Sequence, residues 1–435
     1  MAQKKKMSTQ PYRGTKDHFP EDRRLIQWIF DIWHKTSEAF GYEEYAGPFL
    51  EPIELYLSKT SEEIVNEQLY HVHDKGERHL AIRPEMTPTL ARMVASRVGQ
   101  LVKPIRLFSI AACMRYERPQ KSRLRQFDQF NLDVLGGEPM DEDVEVLLTI
   151  VHMLRQLGAR GSDYRIKLNH RGVVNDFLAG LSLPKESHVK ALRLMDHLPK
   201  MSKESFMDSL AELGATEEDC QKIFGFMTGD LALAKSYLDT ENPHITYLEK
   251  ILGRLKEACP MDEEVFVFAP EVMRGFDYYT GVVFEVFDNH PENRRALFGG
   301  GRYDDLVGSF GGEPLSGVGY GVSEISLINF MKTHELLPAL KKKVDVFVFG
   351  LCEKASGPLL SLAMELRSKD LKVEQAMGQR KPAKLFAMAD KLGAKVAIFM
   401  GEDELSKGVF CVKFLATKEQ QEFPLGQLEG FLAKI

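Results

Sequence analysis

Two strand-forming runs, Ile105–Ile110 and Phe127–Leu135, enclose a stretch crowded with positive charge, and this arrangement leaves the chain few ways to fold locally. Between them Arg115, Arg118, Lys121, Arg123 and Arg125 put five cations and the single acid Glu117 into eleven residues, interrupted by Pro119. Apolar residues alternating on the flanks call for a surface buried on one side only, which an antiparallel hairpin supplies. The order is strand, basic loop, strand, with the cations carried on a rigid frame. Guanidinium groups stay charged when partly buried and match phosphate oxygens in pairs, so such a hairpin suits a nucleoside triphosphate or an RNA end. A solvated charged turn is the plainer alternative.

Around this hairpin the chain alternates between two textures. From Glu21 the apolar residues Leu25, Trp28, Ile29, Ile32, Trp33 and Phe40 recur at helical spacing between Pro20 and Gly41, which predicts one long amphipathic helix. Pro48 and Pro52 place Tyr45–Pro52 at a sheet edge or a chain crossing. Met140–Leu157 is again helical, with acids in its first turn and Gly158 after its end. Asn169–Pro260 is helical and polar, with Ser202, Glu204, Thr216 and Gly229 as caps and breakers, and reads as an inserted helical module. Strand patterns return at Val265–Phe268 and Val282–Phe287, which predicts a mainly antiparallel sheet interrupted by that module. Beyond the linker Lys341–Lys343 the strands Val344–Phe349, Lys372–Glu374 and Val396–Met400 alternate with the helices Pro358–Ser368 and Arg380–Leu392. That alternation predicts a separate α/β domain with a largely parallel sheet.

Composition excludes several classes. The 435 residues are 44% hydrophobic and 28% charged, enough apolar side chain for several cores and too much for a disordered chain. No run approaches the roughly 18–20 apolar residues of a bilayer-spanning helix, so a membrane protein is not expected. Five scattered cysteines without metal or redox spacing read as packed thiols, and Lys4–Lys6 precede no apolar core of a secretory signal. A cytoplasmic protein follows. Net charge is −6, yet residues 341–435 hold 16 Lys and Arg against 12 Asp and Glu, leaving that part +4 and the remainder −10. A basic tail on an acidic body can meet a polyanion locally, because fields act within roughly 8–10 Å.

Further segments carry candidate chemistry. In Met273–Gly281, Arg274 precedes the pair Tyr278 and Tyr279, between Gly275 and Gly281; this is a surface turn or a pocket clamping a small polar ligand beside a phosphate-binding arginine. Phe298–Asp305 contains Gly299–Gly301, Arg302 and Tyr303, a run that permits close backbone approach but lacks the ending of a P-loop. Gly317, Gly319 and Gly321 do not open a βαβ unit, so a dinucleotide site is rejected in favour of close packing of a strand and the following helix. In Arg83–Pro88, Glu85 could bind an ammonium group while Thr87 caps a helix. His71 and His73 share one strand face, with no third metal ligand apparent.

Taken in order, Gly14–Asp17, Arg83–Glu85, Arg115–Gln126, Arg274–Gly281, Gly299–Asp304 and Gly401–Leu405 resemble the histidyl-tRNA synthetases, a family of class II aminoacyl-tRNA synthetases, from about Tyr12 to the C-terminus. The Arg-Gly-Phe-Asp-Tyr-Tyr-Thr-Gly and Gly-Gly-Gly-Arg-Tyr-Asp segments are specific to that family. The resemblance implies an α+β fold with a class II antiparallel catalytic sheet. Its blocks are residues 1–170 (first part of the catalytic domain), 171–260 (helical insertion), 261–340 (second part) and 341–435 (anticodon-binding α/β domain). It implies a homodimer contacting through the long helix and the strand near Pro48. By resemblance, L-histidine is activated by ATP and passed to tRNA(His). Arg115 and Arg274 hold the α-phosphate, Arg123 reaches the outer phosphates with Mg²⁺, and Glu117 belongs to the same ATP site. Glu85, Met86, Thr87 and Gln129 meet the substrate's amino end. Tyr279 and Asp133 address the imidazole, and Tyr278 and Tyr303 line the pocket.

Two departures from the family pattern stand out. Gly317–Leu327 contains no arginine, Ile325 and Ser326 standing where glutamate and an ATP-contacting arginine are expected; Arg302 is the candidate substitute. Asp133 stands where glutamate is common, one methylene shorter, so its contact with the imidazole calls for a water or a backbone shift. The competing readings are a non-catalytic relative that binds histidine and regulates ATP phosphoribosyltransferase, a class II synthetase for another amino acid, and a plain RNA-binding protein.

Overall fold

Pro20 presets the first turn of α1 (Pro20–Ala39), and Glu21 and Asp22 complement the positive end of its dipole. Its apolar stripe buries Ile26, Ile29, Ile32 and Trp33, and the Trp33 ring stacks on Phe130 at a centroid distance of 5.2 Å. The computed structural model describes residues 7–57, 64–198, 201–239, 241–273, 278–311, 313–378 and 381–435. They form two compact units, Met1–Pro338 and Ala339–Ile435.

In the first unit the chain continues through β1 (Glu43–Glu44), β2 (Leu50–Pro52), α2 (Glu54–Leu57), β3 (His71–His73), β4 (His79–Ile82) and α3 (Thr87–Ala95). The long hairpin β5 (Ile105–Met114) and β6 (Gln126–Leu135) follows, then α4 (Pro139–Gln156) and β7 (Tyr164–His170). Six helices come next: α5 (Arg171–Ala179), α6 (His188–His197), α7 (Lys203–Glu212), α8 (Glu217–Thr228), α9 (Leu231–Ser236) and α10 (Pro243–Ala258). The unit closes with β8 (Phe266–Phe268), β9 (Val282–Asp288), β10 (Ala296–Arg302), β11 (Gly317–Ser323) and α11 (Glu324–Thr333).

Eight strands form one sheet in the order β1-β5-β6-β11-β10-β9-β7-β8. Its inner pairings are antiparallel, and only the marginal pairs β1–β5 and β7–β8 are parallel. The expected hairpin is present in full register, from Ile105 opposite Leu135 to Met114 opposite Gln126. Tyr45–Pro52 is a crossing: β1 joins the large sheet, while β2 joins the small antiparallel sheet β2-β4-β3.

Alternation splits the large sheet into two faces. Phe130, Leu132 and Val134 of β6 and Val318, Tyr320 and Val322 of β11 point into the main core beneath α1, α4 and α11. Gln129, Asn131 and Asp133 therefore point to the opposite face, together with Gly317, Gly319 and Gly321. The inserted helices build their own core around Phe177, Phe206 and Phe226. Helix α10 is shared, because Ile245 and Leu248 face that core whereas Ile251 and Leu255 face the main one.

The second unit holds β12 (Val344–Gly350), α12 (Ser356–Arg367), β13 (Val373–Gln375), α13 (Pro382–Leu392), β14 (Ala394–Met400), α14 (Glu402–Lys407), β15 (Val409–Phe414), β16 (Gln420–Pro424) and α15 (Glu429–Leu432). Its sheet order is β13-β12-β14-β15-β16. The pairs β12–β13 and β12–β14 are parallel as expected, but β14–β15 and β15–β16 are antiparallel, so the sheet is mixed. Gly408, at φ +67°, ends α14 in the left-handed region and turns the chain straight into the added hairpin.

Candidate active site

The glycine-bearing face of the large sheet is the floor of a cavity of about 250 Å³. Gly319 pairs with Asp133 and Gly321 with Asn131 across β11 and β6. A Cβ on Gly319 would lie 2.1 Å from Asp133 Oδ1, and one on Gly321 would lie 2.3 Å from Gln129 Nε2. The glycines thus let these polar side chains lie flat across the neighbouring strand, a specific form of the close packing read from the sequence.

At one end of the cavity stand the cations. Arg115, Glu117 and Arg123 all line it. Arg115 leaves β5 just before the loop, donates from Nε to Pro84 O at 3.0 Å, and lies over the Phe127 ring at 5.5 Å. Arg123 Nη1 meets Glu117 Oε2 at 3.2 Å, so the loop's single acid steadies one of its cations. Arg125 is tied up elsewhere, donating to Tyr12 Oη at 2.6 Å and lying over the Tyr116 ring at 4.0 Å. Arg274 falls in 274–277, outside the described residues.

At the other end Glu85, Thr87, Gln129, Tyr279 and Tyr303 line the cavity. Glu85 is buried and accepts from the Tyr278 hydroxyl at 2.9 Å. Cys113 donates from Sγ to Gln129 Oε1 at 3.6 Å, and burial pushes its thiol up to about 12. Asp133 accepts from the Tyr303 hydroxyl at 2.5 Å, while its Oδ2, buried, has no hydrogen-bond partner among the described residues. Burial raises the Asp133 carboxyl to about 7, against the lowering effect of the Tyr303 bond. Met86 is fully buried in the apolar cluster behind this wall, with Tyr278 and Tyr303. Its side chain supports that wall from behind.

Arg302 is the clearest correction. It is 4% exposed and points away from the cavity into α4. Its guanidinium meets Asp143 Oδ1 at 2.8 Å, Asp304 Oδ1 at 2.9 Å, Glu142 Oε2 at 3.0 Å and Pro139 O at 2.6 Å. Burial alone would lower its pKa, but the carboxylates more than offset this and raise it above the ordinary arginine value. A guanidinium with its donors committed this way cannot replace a nucleotide-clamping cation.

The turn from β11 into α11 contributes Ser323, Ile325 and Ser326 to the cavity wall and no cation. Glu324, between them, is buried and accepts from Asp128 N at 2.9 Å, and burial raises its carboxyl to about 8. Sequence reasoning missed Phe127, Asn131, Glu285 and Phe298 in the lining. Phe127 and Asn131 were available from period two, since they share a face with Gln129. It also missed His79, which pairs with His73 across β3 and β4 and brings Nε2 within 2.9 Å of His71 Nδ1. Among the described residues no three His, Cys, Asp or Glu side chains are arranged to hold a metal ion.

Residues 14–324 match the family model described as histidyl-tRNA synthetase, more than half of the chain. This chain belongs to the histidyl-tRNA synthetase family. Residues 343–435 match a second model, described as an anticodon binding domain. A protein from Leptospira biflexa named histidine–tRNA ligase is 35% identical over 425 residues, 97% of each chain. The chloroplastic/mitochondrial histidine–tRNA ligase of Arabidopsis thaliana is 32% identical over 438 residues, covering 98% of this chain and 87% of that one. In fold, the chain resembles a histidyl-tRNA synthetase from Nostoc sp. with a TM-score of 0.79 at 23% identity, over 99% of this chain and 100% of that one. The α+β class read from the sequence agrees with that neighbour. No helix among the described residues is long and apolar enough to cross a membrane.

Proposed function

We propose that this protein is a histidine–tRNA ligase that activates L-histidine with ATP to histidyl-adenylate and transfers the histidyl group to the 3′ end of tRNA(His). One observation carries the reading: a single cavity has Arg115, Glu117 and Arg123 at one end and Glu85, Thr87, Gln129, Tyr279 and Tyr303 at the other, with the Asp133 carboxylate behind Tyr303. A phosphate chain and an amino acid fit those two ends.

In the activation step a carboxylate oxygen of histidine bonds to the α-phosphorus, and the bond to the bridging oxygen breaks to release pyrophosphate. Negative charge gathers on the phosphoryl oxygens, so fixed guanidiniums stabilise the transition state more than the ground state. We assign that role to Arg115 and Arg274, and the outer phosphates to Arg123 held by Glu117. Glu85 and Thr87 hold the substrate ammonium, with Gln129 beside them. Tyr279 and Asp133 take the imidazole between the walls formed by Tyr278 and Tyr303. A site that pairs both ring nitrogens leaves its own polar groups unmatched by an apolar competitor, discrimination on the order of 10⁴–10⁵ without editing.

Mg²⁺ bound mainly through phosphate oxygens needs only one or two protein carboxylates, and Glu117 and Glu285, both in the lining, suit it. When bound it neutralises part of the phosphate charge. The +4 balance of residues 341–435 favours an RNA partner for the second unit. A homodimer joined through α1 and the Pro48 segment would cover Phe19, Phe49 and Leu50, which are exposed large apolar side chains on or beside those elements. We place the enzyme in the cytoplasm.

Histidine-dependent exchange of pyrophosphate into ATP tests the reading. A regulatory relative would bind histidine and give no exchange, and a synthetase of other specificity would respond to a different amino acid.

A further inference from the structure

Two oxygens at the sheet face, Asn131 Oδ1 and Asp133 Oδ2, are buried and have no hydrogen-bond partner among the described residues, and the Tyr45 and Ser109 hydroxyls beside them are hydrogen-bonded to each other. Ser109, Asn131 and Asp133 are 1%, 3% and 1% exposed, so bulk water does not serve them. The strand register brings them together, since Ser109 lies directly opposite Asn131 and Leu107 opposite Asp133. All lie on the cavity face of the sheet. The Tyr45 hydroxyl sits beside that of Ser109 and within electrostatic reach of Asp133, and Tyr45 packs with Tyr303. The bond shared by these two hydroxyls leaves one hydroxyl proton free to donate beside two unmatched oxygens. Two unmatched oxygens beside a spare hydroxyl proton are unusual, because buried polar groups are nearly always paired.

Resting on the reading of this cavity as a histidine site, we infer that Tyr45, Ser109 and Asn131 form a water-holding shell that links Asp133 Oδ2 to the imidazole of bound histidine and makes these three residues determinants of amino-acid specificity. A buried water typically makes about three hydrogen bonds. One such water can accept from the Ser109 or Tyr45 hydroxyl and from the ring N–H, and donate to Asp133 Oδ2 and Asn131 Oδ1. Asp133 is one methylene shorter than the glutamate common at this place, and the shell makes up that length. A ligand without a ring N–H would leave the water and the carboxylate unmatched.

Ser109→Ala and Tyr45→Phe in the full chain test this, read by exchange kinetics and by calorimetric titration with L-histidine. Each is expected to raise the KM and Kd for histidine about tenfold, the loss of one net hydrogen bond, while the KM for ATP stays within twofold. In an Asp133→Glu background the longer carboxylate reaches the ring and displaces the water, so adding Ser109→Ala should cost less than twofold. The inference is overturned if both single variants bind histidine as the parent does, if the KM for ATP rises in parallel, or if the Ser109→Ala penalty is unchanged beside glutamate. A parent chain that binds histidine but gives no exchange defeats the catalytic reading alone, and the calorimetric comparison still decides the shell.

Discussion

Replacing Arg302 by methionine keeps much of its length and removes its charge. Its side chain is 5% exposed, and its partners Glu142 and Asp143 are 3% and 1% exposed. Without the guanidinium, two carboxylates stay buried and lose their countercharge. Glu142 keeps the Gly137 amide at 2.6 Å and the Ser316 hydroxyl at 3.0 Å, and Asp143 keeps the Tyr247 hydroxyl at 2.8 Å. Those bonds soften the loss without cancelling it. Asp304 is 40% exposed and is left out of the reckoning because water screens it. Breaking a buried pair of this kind costs about 3–5 kcal/mol. With a guanidinium slope of ~4–6 kcal/mol/M for a unit this large, the midpoint should fall by roughly 0.5–1.2 M. The only two tryptophans, Trp28 and Trp33, both lie in α1, so their fluorescence follows the first unit alone. Arg302→Lys should fall between parent and methionine variant, keeping the charge and losing the fork geometry. An unchanged midpoint for Arg302→Met, with the KM for ATP raised tenfold, would refute this reasoning and return Arg302 to the nucleotide.

Three other outcomes follow from the same geometry. A Cβ on Gly300 would lie 2.1 Å from the backbone oxygen of Gly319, which cannot yield without parting β10 from β11; Gly300→Ala should cost more than about 2 kcal/mol in the same fluorescence assay. Asp133 titrates near 7 in the folded chain and near 4 when unfolded, so the native state holds the extra proton between those values. Its contribution to stability is therefore greatest below about pH 4, declines as pH rises to about 7 and is flat beyond. The ionised form is the better acceptor of the hydrogen bond that links it to the ligand ring, so histidine KM should fall as pH climbs through 7, and Asp133→Asn should flatten that profile. Tyr278→Phe removes the donor to buried Glu85 and should weaken histidine binding by about tenfold, measured by titration, leaving ATP binding unchanged.

The hairpin of β5 and β6 was legible because its signal is local: alternation on each side of a charged loop fixes both strands and their register. The charged run holding Arg115, Glu117 and Arg123 followed from it, whereas Gln129 was singled out only by the family resemblance. Arg302 was misread because the buried carboxylates it meets, Glu142 and Asp143, lie 160 and 159 positions away and no local pattern joins them to it. A surface arginine and a buried one are the same letter until topology brings α4 over β10. His79 escaped for a related reason, since strand pairing, not spacing, sets it against His73. The hairpin β15–β16 went unread because β15 opens directly from α14 and the polar β16 lacks an apolar run. The glycines of β11 were read as aids to packing, and the structure adds what packs on them: the side chains of Gln129 and Asp133.

The central claim is that the cationic and polar ends of one cavity join ATP to histidine, and histidine-dependent exchange of labelled pyrophosphate in the parent, Arg115→Ala and Arg274→Ala proteins tests it most directly. The account expects exchange in the parent with histidine alone among the amino acids, reduced about 10²–10³-fold or more in each variant. Undiminished exchange in either variant, or a folded parent that exchanges with no amino acid, would contradict it.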